Sequence, residues 1–370
     1  MTNPERPRPD YTSGPWRIRA TMLPDGHAVR EWWIHDGRLS ATPVPGAADL
    51  PGAWMLPGGL VDAHVHLTMN FGRRVPEADG SDALVDANAQ AHLASGVLAY
   101  RDAGCAWGGT PMGREGRPAL QRAGRILAPP TRGYPNICRS VDAAGLEAAA
   151  MEELDGGAQW VKVLGDFPDH TGNWFAAPAN YPGEALAAVV RDAHARGARV
   201  MAHSTGLGAA DLIRAGVDCI EHGMVLTPDL VREMADRGIA WCLTLTTALK
   251  HVGPLMTQQT PVGEYIRAAM NQVRERLELA ASLGVTLLAG SDEIGVGGLL
   301  DELECLTRYG LSTEQALAAG STSARQWLGF PEVTAGASAD LVLYDRDPRL
   351  DLRALRAPSA VVLAGNPCLR

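Results

Sequence analysis

The sequence predicts an α/β protein: a (β/α)8 TIM barrel with a small β-sandwich domain built from both chain ends. Three observations carry this. From Gly58 onward, short apolar stretches alternate with helical stretches eight times in about 240 residues, the arithmetic of such a barrel. The apolar stretches are continuous rather than alternating, as strands covered on both faces are. Before residue 58 and after residue 330 the pattern changes to short strands and turns, in two pieces each too small to hold a core alone. No Gly-x-Gly-x-x-Gly follows an early strand, which disfavours a doubly wound open sheet. The expected division is therefore 1–57 and 331–370 for the sandwich and 58–330 for the barrel.

The elements follow in order. Residues 1–15 are Pro-rich and charged and read as a loose arm. Residues 16–20 and 31–35 are expected strands, with a turn at Pro24-Asp25-Gly26 between them. Asp36-Gly37 signals another turn, 38–42 a further strand and 43–51 a loop. The first barrel strand is 60–67, followed by a helix over 81–95. Strand two is 97–102, stopped by Gly104, and a polar helix is expected around 111–123. Strand three is 126–129, then a helix over 142–154. Strand four is 160–164, then a helix over 183–196 ending at Gly197, where left-handed backbone closes a helix. Strand five is 199–202, and helix 206–215 ends at Gly216. Strand six is 219–221, and helix 228–237 ends at Gly238. Strand seven is 239–244, and the long helix 262–283 ends at Gly284. Strand eight is 285–289. Helices over 301–308 and 313–328 lead to strands at 339–344 and 361–363, which can join the N-terminal ones.

Composition narrows the function classes. Of 370 residues, 46% are apolar and 20% charged, ordinary for a globular protein, and the net charge is −9. No Lys/Arg run is present, which argues against a nucleic-acid or anionic-membrane partner. The six cysteines show no C-x-x-C, which argues against a disulfide framework or zinc ribbon and for a reducing compartment. The first twenty residues hold no apolar core of a signal peptide, and no apolar run approaches the roughly 20 residues of a membrane span. The expectation is a cytoplasmic protein acting on a small molecule, with assembly into a homo-oligomer left open.

The chemistry centres on Leu60-Val61-Asp62-Ala63-His64-Val65-His66-Leu67. On a strand, side chains repeat with period two, so His64 and His66 share a face. Two imidazoles so placed fit a divalent transition metal. Further polar residues end other strands: Lys162 on strand four, His203 on five, His222 on six and Asp292 after eight. Catalytic groups of a (β/α)8 barrel gather at that end. Each also has an ordinary reading: a core histidine with one hydrogen bond, or Asp292 as a helix cap. Lys162 has the least ordinary one. A closed barrel has no edge, so its ammonium must be paired or chemically altered.

This pattern, with Asp340-Leu341-Val342-Leu343-Tyr344-Asp345-Arg346-Asp347-Pro348 near the C-terminus, resembles the amidohydrolase superfamily. Within it, the chain resembles the imidazolonepropionase-like branch, which includes metal-dependent Xaa-Pro (prolidase-like) and Xaa-Arg dipeptidases. The resemblance spans nearly the whole chain and is weakest over 1–50. It implies a binuclear centre of two divalent metal ions, zinc by default from the His-rich ligation. It implies a CO2-derived carbamate on Lys162 bridging the two metals. His64, His66 and Asp292 would hold the first metal, and His203 and His222 the second. Asp292 would then be catalytic, taking a proton from a metal-bridged hydroxide and passing it to the leaving nitrogen.

Substrate contacts are expected in the loops after the strands: Asn70, Arg73 and Arg74, then Arg132, Tyr134 and Asn136, then Phe167, His170, Asn173 and Trp174, then Lys250 and His251. Arginines at the mouth would suit a substrate carboxylate. The expected substrate is a dipeptide, an N-acyl amino acid or a cyclic amide. Two departures matter. Ser204-Thr205-Gly206 follows His203, where several dipeptidase relatives carry a carbonyl-holding tyrosine, and Gly290-Ser291-Asp292 replaces Gly-Thr-Asp. Other readings keep the fold: a lactone or phosphotriester hydrolase, a mononuclear imidazolone hydrolase or deaminase, or a non-catalytic member. Lys162 argues against the mononuclear reading, and six intact ligand-capable positions argue against the last.

Overall fold

The computed structural model of the chain describes residues 14–70, 77–78, 82–105, 116–134, 137–168, 174–292 and 298–368. The barrel is built from two arcs of parallel strands. One arc orders Leu60–Val65, Val97–Asp102 and Ala119–Arg122. The other orders Cys138–Ser140, Ile126–Ala128, Trp160–Leu164, Arg199–Ser204, Cys219–His222, Ala240–Leu243 and Leu287–Ala289. The arcs meet twice. Ala123 bridges in parallel to Trp160, and the Asp292 N–H donates to the His64 carbonyl at 2.8 Å.

The eight expected strands are all present, and a further strand, Ala119–Arg122, precedes the third. Residues 119–122 were expected to be helical; they form a strand paired with Ala99–Asp102. Their polar side chains look amphipathic in sequence but bond at the barrel's lower end. Gln121 Nε2 donates to the Leu328 carbonyl at 2.7 Å and Arg122 Nη2 to the Gly156 carbonyl at 2.9 Å. The chain then turns at Gly124, whose missing side chain leaves room for Glu153, and pairs with strand four instead.

The first strand holds the most consequential irregularity. Val61 and Ala63 pack in the barrel interior, whereas Leu60, Val65 and Leu67 pack against the outer layer. Period two cannot put residues 61, 63, 64 and 66 on one face. The pairing with Val97–Asp102 slips between Asp62 and Val65, and this one-residue slip turns His64 and His66 inward.

Helices cover the outside. Helix Gly183–Ala195 buries Leu186, Val189, Val190 and Ala193, spaced three and four apart as a helix stripe requires. The expected helix 313–328 is two helices, Thr313–Ala319 and Thr322–Leu328. The stretch after strand seven, expected as a loop, is helix Leu245–Met256. Among the described residues no helix is long and apolar enough to cross a membrane.

Both chain ends join in one sheet, ordered Asn366–Cys368, Pro358–Leu363, Leu341–Tyr344, Trp54–Pro57, Trp16–Met22, Val29–His35 and Arg38–Ser40, with Ala48–Asp49 beside Trp16–Met22. Ile18, Ile34, Leu39, Met55, Leu341 and Val362, from strands across the whole sheet, share one core. The sheet therefore closes over itself as a sandwich does. The alternate residues Leu56, Val342 and Tyr344 face the barrel's outer core. Each fully buried Leu, Ile or Val contributes about 1.5–3 kcal/mol.

Candidate metal centre

His64, His66, Lys162, His203, His222 and Asp292 all line one cleft at the carboxyl end of the strands, with a volume of about 980 Å³ including its open mouth. His64 Nδ1 donates to Glu221 Oε2 at 2.5 Å, and His66 Nδ1 to the Gly104 carbonyl at 2.8 Å. A carboxylate and a carbonyl only accept, so both rings carry their proton on Nδ1 and present Nε2 as the lone-pair nitrogen. The two Nε2 atoms converge on Asp292 Oδ1, at 3.3 and 3.4 Å. The three donors lie within 4.8 Å of one another, close enough for one ion.

Backbone geometry aims the other donors. Asp292 has φ 53° and His222 has φ 68°, left-handed values that ordinary side chains avoid. Gly223 continues the turn at φ 65°, and a Cβ there would meet Trp241 Nε1 at 2.4 Å. Trp241 Nε1 in turn donates to the His222 carbonyl at 2.8 Å. The His222 ring lies 4.4 Å from that of His203 and 5.1 Å from that of His64. Its Nδ1 lies 2.7 Å from Thr244 Oγ1 and 3.9 Å from Asp292 Oδ2.

Electrostatics favour lone pairs over protons on the His203 and His222 rings, whereas His64, although buried, is raised by Asp292 and Glu221 beside it. Burial pushes His203 well below its ordinary value, with His222 and Lys162 adding to the effect. Burial likewise takes His222 down to about 3. Both imidazoles are neutral at neutral pH, the state a metal requires. Burial alone would raise Asp292, but His64, His66 and His222 hold its carboxylate well below the usual range.

Lys162 is the anomaly. It is 2% exposed, and among the described residues its Nζ has no hydrogen-bond partner. Burial lowers its pKa, while Glu221 and Asp292 favour its charge. A buried amine among four imidazoles and a carboxylate is a donor set whose chemistry fits divalent metal.

The substrate-loop expectations divide. Tyr134 and His251 line the cleft. Arg132 does not: its guanidinium donates to the carbonyls of Phe167, Pro178 and Ala179 at 3.1, 2.7 and 3.2 Å, stapling two loops together. Phe167 packs edge-on to Tyr134 at 5.3 Å, and Lys250 is exposed. Arg73, Arg74, Asn136, His170 and Asn173 lie outside the described residues, as do the side chains of Asn70 and Trp174.

Residues not singled out from sequence complete the support. Glu221 Oε1 accepts from Arg101 Nη2 at 2.8 Å, and Arg101 Nε donates to the Ala63 carbonyl at 2.7 Å. Asp166 accepts from Ser204 Oγ at 2.6 Å and from the Thr205, Gly206 and Gly208 N–H groups, holding the loop after His203. Glu302 accepts from the Leu245 and Thr246 N–H groups at 2.8 and 2.7 Å. The available signal was the same one that marked Lys162: a charge inside an apolar strand or helix face.

Comparison with known proteins identifies the family and the fold. The amidohydrolase family profile matches residues 54–368. Uncharacterized proteins of Mycobacterium bovis and Mycobacterium tuberculosis are 36% identical over 361 residues, 94% of each chain. A prolidase candidate from Bifidobacterium longum superposes with TM-score 0.79 at 25% identity, covering 96% of this chain and 95% of that one. A Xaa-Pro dipeptidase with methionine in its active site gives 0.80 at 18% identity, covering 96% and 100%. Aspergillus niger ochratoxinase gives 0.78 at 19%, covering 95% of each. The chain belongs to the amidohydrolase family.

Proposed function

We propose that this protein is a metal-dependent hydrolase of amide bonds with a binuclear centre. The single observation that carries the reading is the convergence of His64 and His66 Nε2 on Asp292, in one cleft with His203, His222 and an orphaned Lys162. The family and the prolidase candidate similar to it support amide hydrolysis. His64, His66 and Asp292 would hold one ion, His203 and His222 a second, and a carbamate on Lys162 would join them. Divalent ions there supply Lewis acidity and lower the pKa of bound water toward neutrality.

The chain's own groups do the rest. Asp292 is ionised at neutral pH and borders the imidazoles, so it accepts the proton of the attacking water and returns it to the leaving nitrogen. Glu221 and Gly104 fix the histidine tautomers and so fix where the lone pairs point. The cleft walls place the amide carbonyl and limit bulk water.

The test loads the protein with Zn²⁺ in bicarbonate buffer, counts bound metal, and screens dipeptides, N-acyl amino acids, cyclic amides, lactones and phosphotriesters. Two metals per chain with amine release from an amide is the expected result. Turnover confined to lactones or phosphotriesters would remove the amide assignment, and absence of bound metal would remove the centre.

A further inference from the structure

The slip in the first barrel strand falls at the candidate ligands, and side chains and a neighbouring strand take up the backbone groups it frees. Pairing with Val97–Asp102 shifts by one residue between Asp62 and Val65, which takes residues 63 and 64 out of the ladder. The Ala63 carbonyl accepts from Arg101 Nε at 2.7 Å, and the His64 carbonyl accepts from the Asp292 N–H at 2.8 Å. The His64 N–H donates to Asp62 Oδ1 at 3.2 Å. The same oxygen accepts from the Ser291 N–H at 3.0 Å.

One carboxyl oxygen therefore joins two segments that each carry a candidate ligand: His64 directly, and Asp292 through the residue before it. Gly290 lets them come this close, since a Cβ there would meet His64 Cβ at 2.4 Å. Asp62 is fully buried, and its other oxygen faces His92 Nδ1 at 3.9 Å, beyond hydrogen-bond reach. A carboxyl placed so deep is costly unless its bonds are needed. Here they hold the spacing of the centre, where His64 Nε2 and Asp292 Oδ1 lie 3.3 Å apart. Without the slip, period two would follow from Val61 and Ala63 and turn His64 away from the interior.

We propose that Asp62 is a positioning residue for the metal centre: its Oδ1 locks the slip of strand one to the segment carrying Asp292, and so aims His64. This rests on the metal-centre reading above and names the device that builds that site.

Three variants grade the contact. Asp62→Asn keeps an oxygen for both N–H groups. Asp62→Ser can accept from the N–H two residues on but is too short to reach Ser291. Asp62→Ala accepts from neither. Competition with a chelator measures Co²⁺ affinity, and the visible absorption of bound Co²⁺ reads the ligand geometry. A second readout needs no metal. The proton on His64 Nδ1, held against Glu221 at 2.5 Å, gives a far-downfield NMR signal, identified by its loss in His64→Asn.

Asp62→Asn is expected to match wild type in all three readouts. Asp62→Ala is expected to lose about 10–100-fold in Co²⁺ affinity, the range for a lost supporting partner of a ligand, with altered absorption and a shifted or missing His64 signal. Asp62→Ser should fall between. Wild-type affinity and spectra in Asp62→Ala, or in Asp62→Ser if the alanine variant does not fold, would overturn the proposal. So would equal damage in Asp62→Asn and Asp62→Ala, since charge rather than the accepting oxygen would then matter. Lower stability with unchanged spectra would also overturn it, leaving Asp62 a part of the fold alone. If the wild type bound no Co²⁺, the metal-centre reading would fall, and the His64 signal would by itself decide whether Asp62 aims that ring.

Discussion

Glu221 Oε2 lies 2.5 Å from His64 Nδ1, and its other oxygen lies 2.8 Å from Arg101 Nη2, so a fully buried ion pair stands behind a candidate metal ligand. Burial opposes the charge on Glu221, yet Arg101 and His64 hold it well below the carboxylate range. Removing one partner of such a pair leaves the other uncompensated, at a cost on the order of 3–5 kcal/mol. Glu221→Gln is therefore expected to lower the unfolding free energy by that order and metal affinity by about 10–100-fold. Adding Arg101→Met removes the stranded cation. The double variant should regain much of the stability while metal affinity stays low. Denaturant unfolding and competition with a chelator read the two effects apart. Recovery of both together would mean that Glu221 acts on the fold alone.

Lys162 makes the converse case. Its unpartnered amine is a cost to the metal-free fold. Lys162→Met fills similar volume without the buried polar group and is expected to stabilise the metal-free protein by about 1–3 kcal/mol. The same variant should lose two-metal occupancy and nearly all turnover, a trade of activity for stability. Lys162→Ala should behave alike in metal content, with partial rescue by short carboxylic acids. Two tightly bound metals in either variant would rule out the bridge.

The sequence showed the strands and the ligands because both write themselves locally. A strand covered on both faces is an apolar run, and a ligand at its end is a polar residue that interrupts it. What stayed hidden depends on residues far away in the chain. Residues 119–122 hold Gln121 and Arg122, whose partners are the Leu328 and Gly156 carbonyls, so no apolar run marks that strand. The helix Leu245–Met256 has its first N–H groups held by Glu302, more than fifty residues on. Arg132 looked like a substrate clamp because a loop arginine gives no sign of the carbonyls waiting for it. The slip that turns His64 inward is likewise a property of the pairing between two strands.

Asp292→Asn separates holding from proton transfer. Asparagine tolerates the left-handed backbone at φ 53° better than most residues, so the fold and the N–H bond to the His64 carbonyl should survive. Its amide keeps one oxygen for a metal but cannot take up a proton. Metal content is expected to stay near wild type while kcat falls by about 10²–10⁴, the range of a lost general acid–base group. Wild-type turnover in this variant would remove Asp292 from proton transfer.

Glu302 gives a prediction away from the ligands. It is fully buried, and burial raises its pKa to about 7, against the pull of the Thr246 and Leu245 donors. A carboxyl raised on folding binds its proton more tightly in the folded state. Its stabilising contribution is complete below the ordinary carboxylate value and is lost as pH rises through about 7. Asp166, raised to about 6 by burial, changes stability in the same direction. The comparison that isolates Glu302 is therefore wild type against Glu302→Gln. The variant should be less stable overall, since one amide group replaces two accepting oxygens, but its unfolding free energy should fall less between pH 5 and pH 8. Denaturant melts at the two values check this, and equal slopes would show that Glu302 keeps its charge throughout. The helix it caps carries Thr247 and His251. Because its N–H donors favour the charged carboxylate, that helix is expected to stay capped as pH rises, and the loss should appear in global unfolding alone.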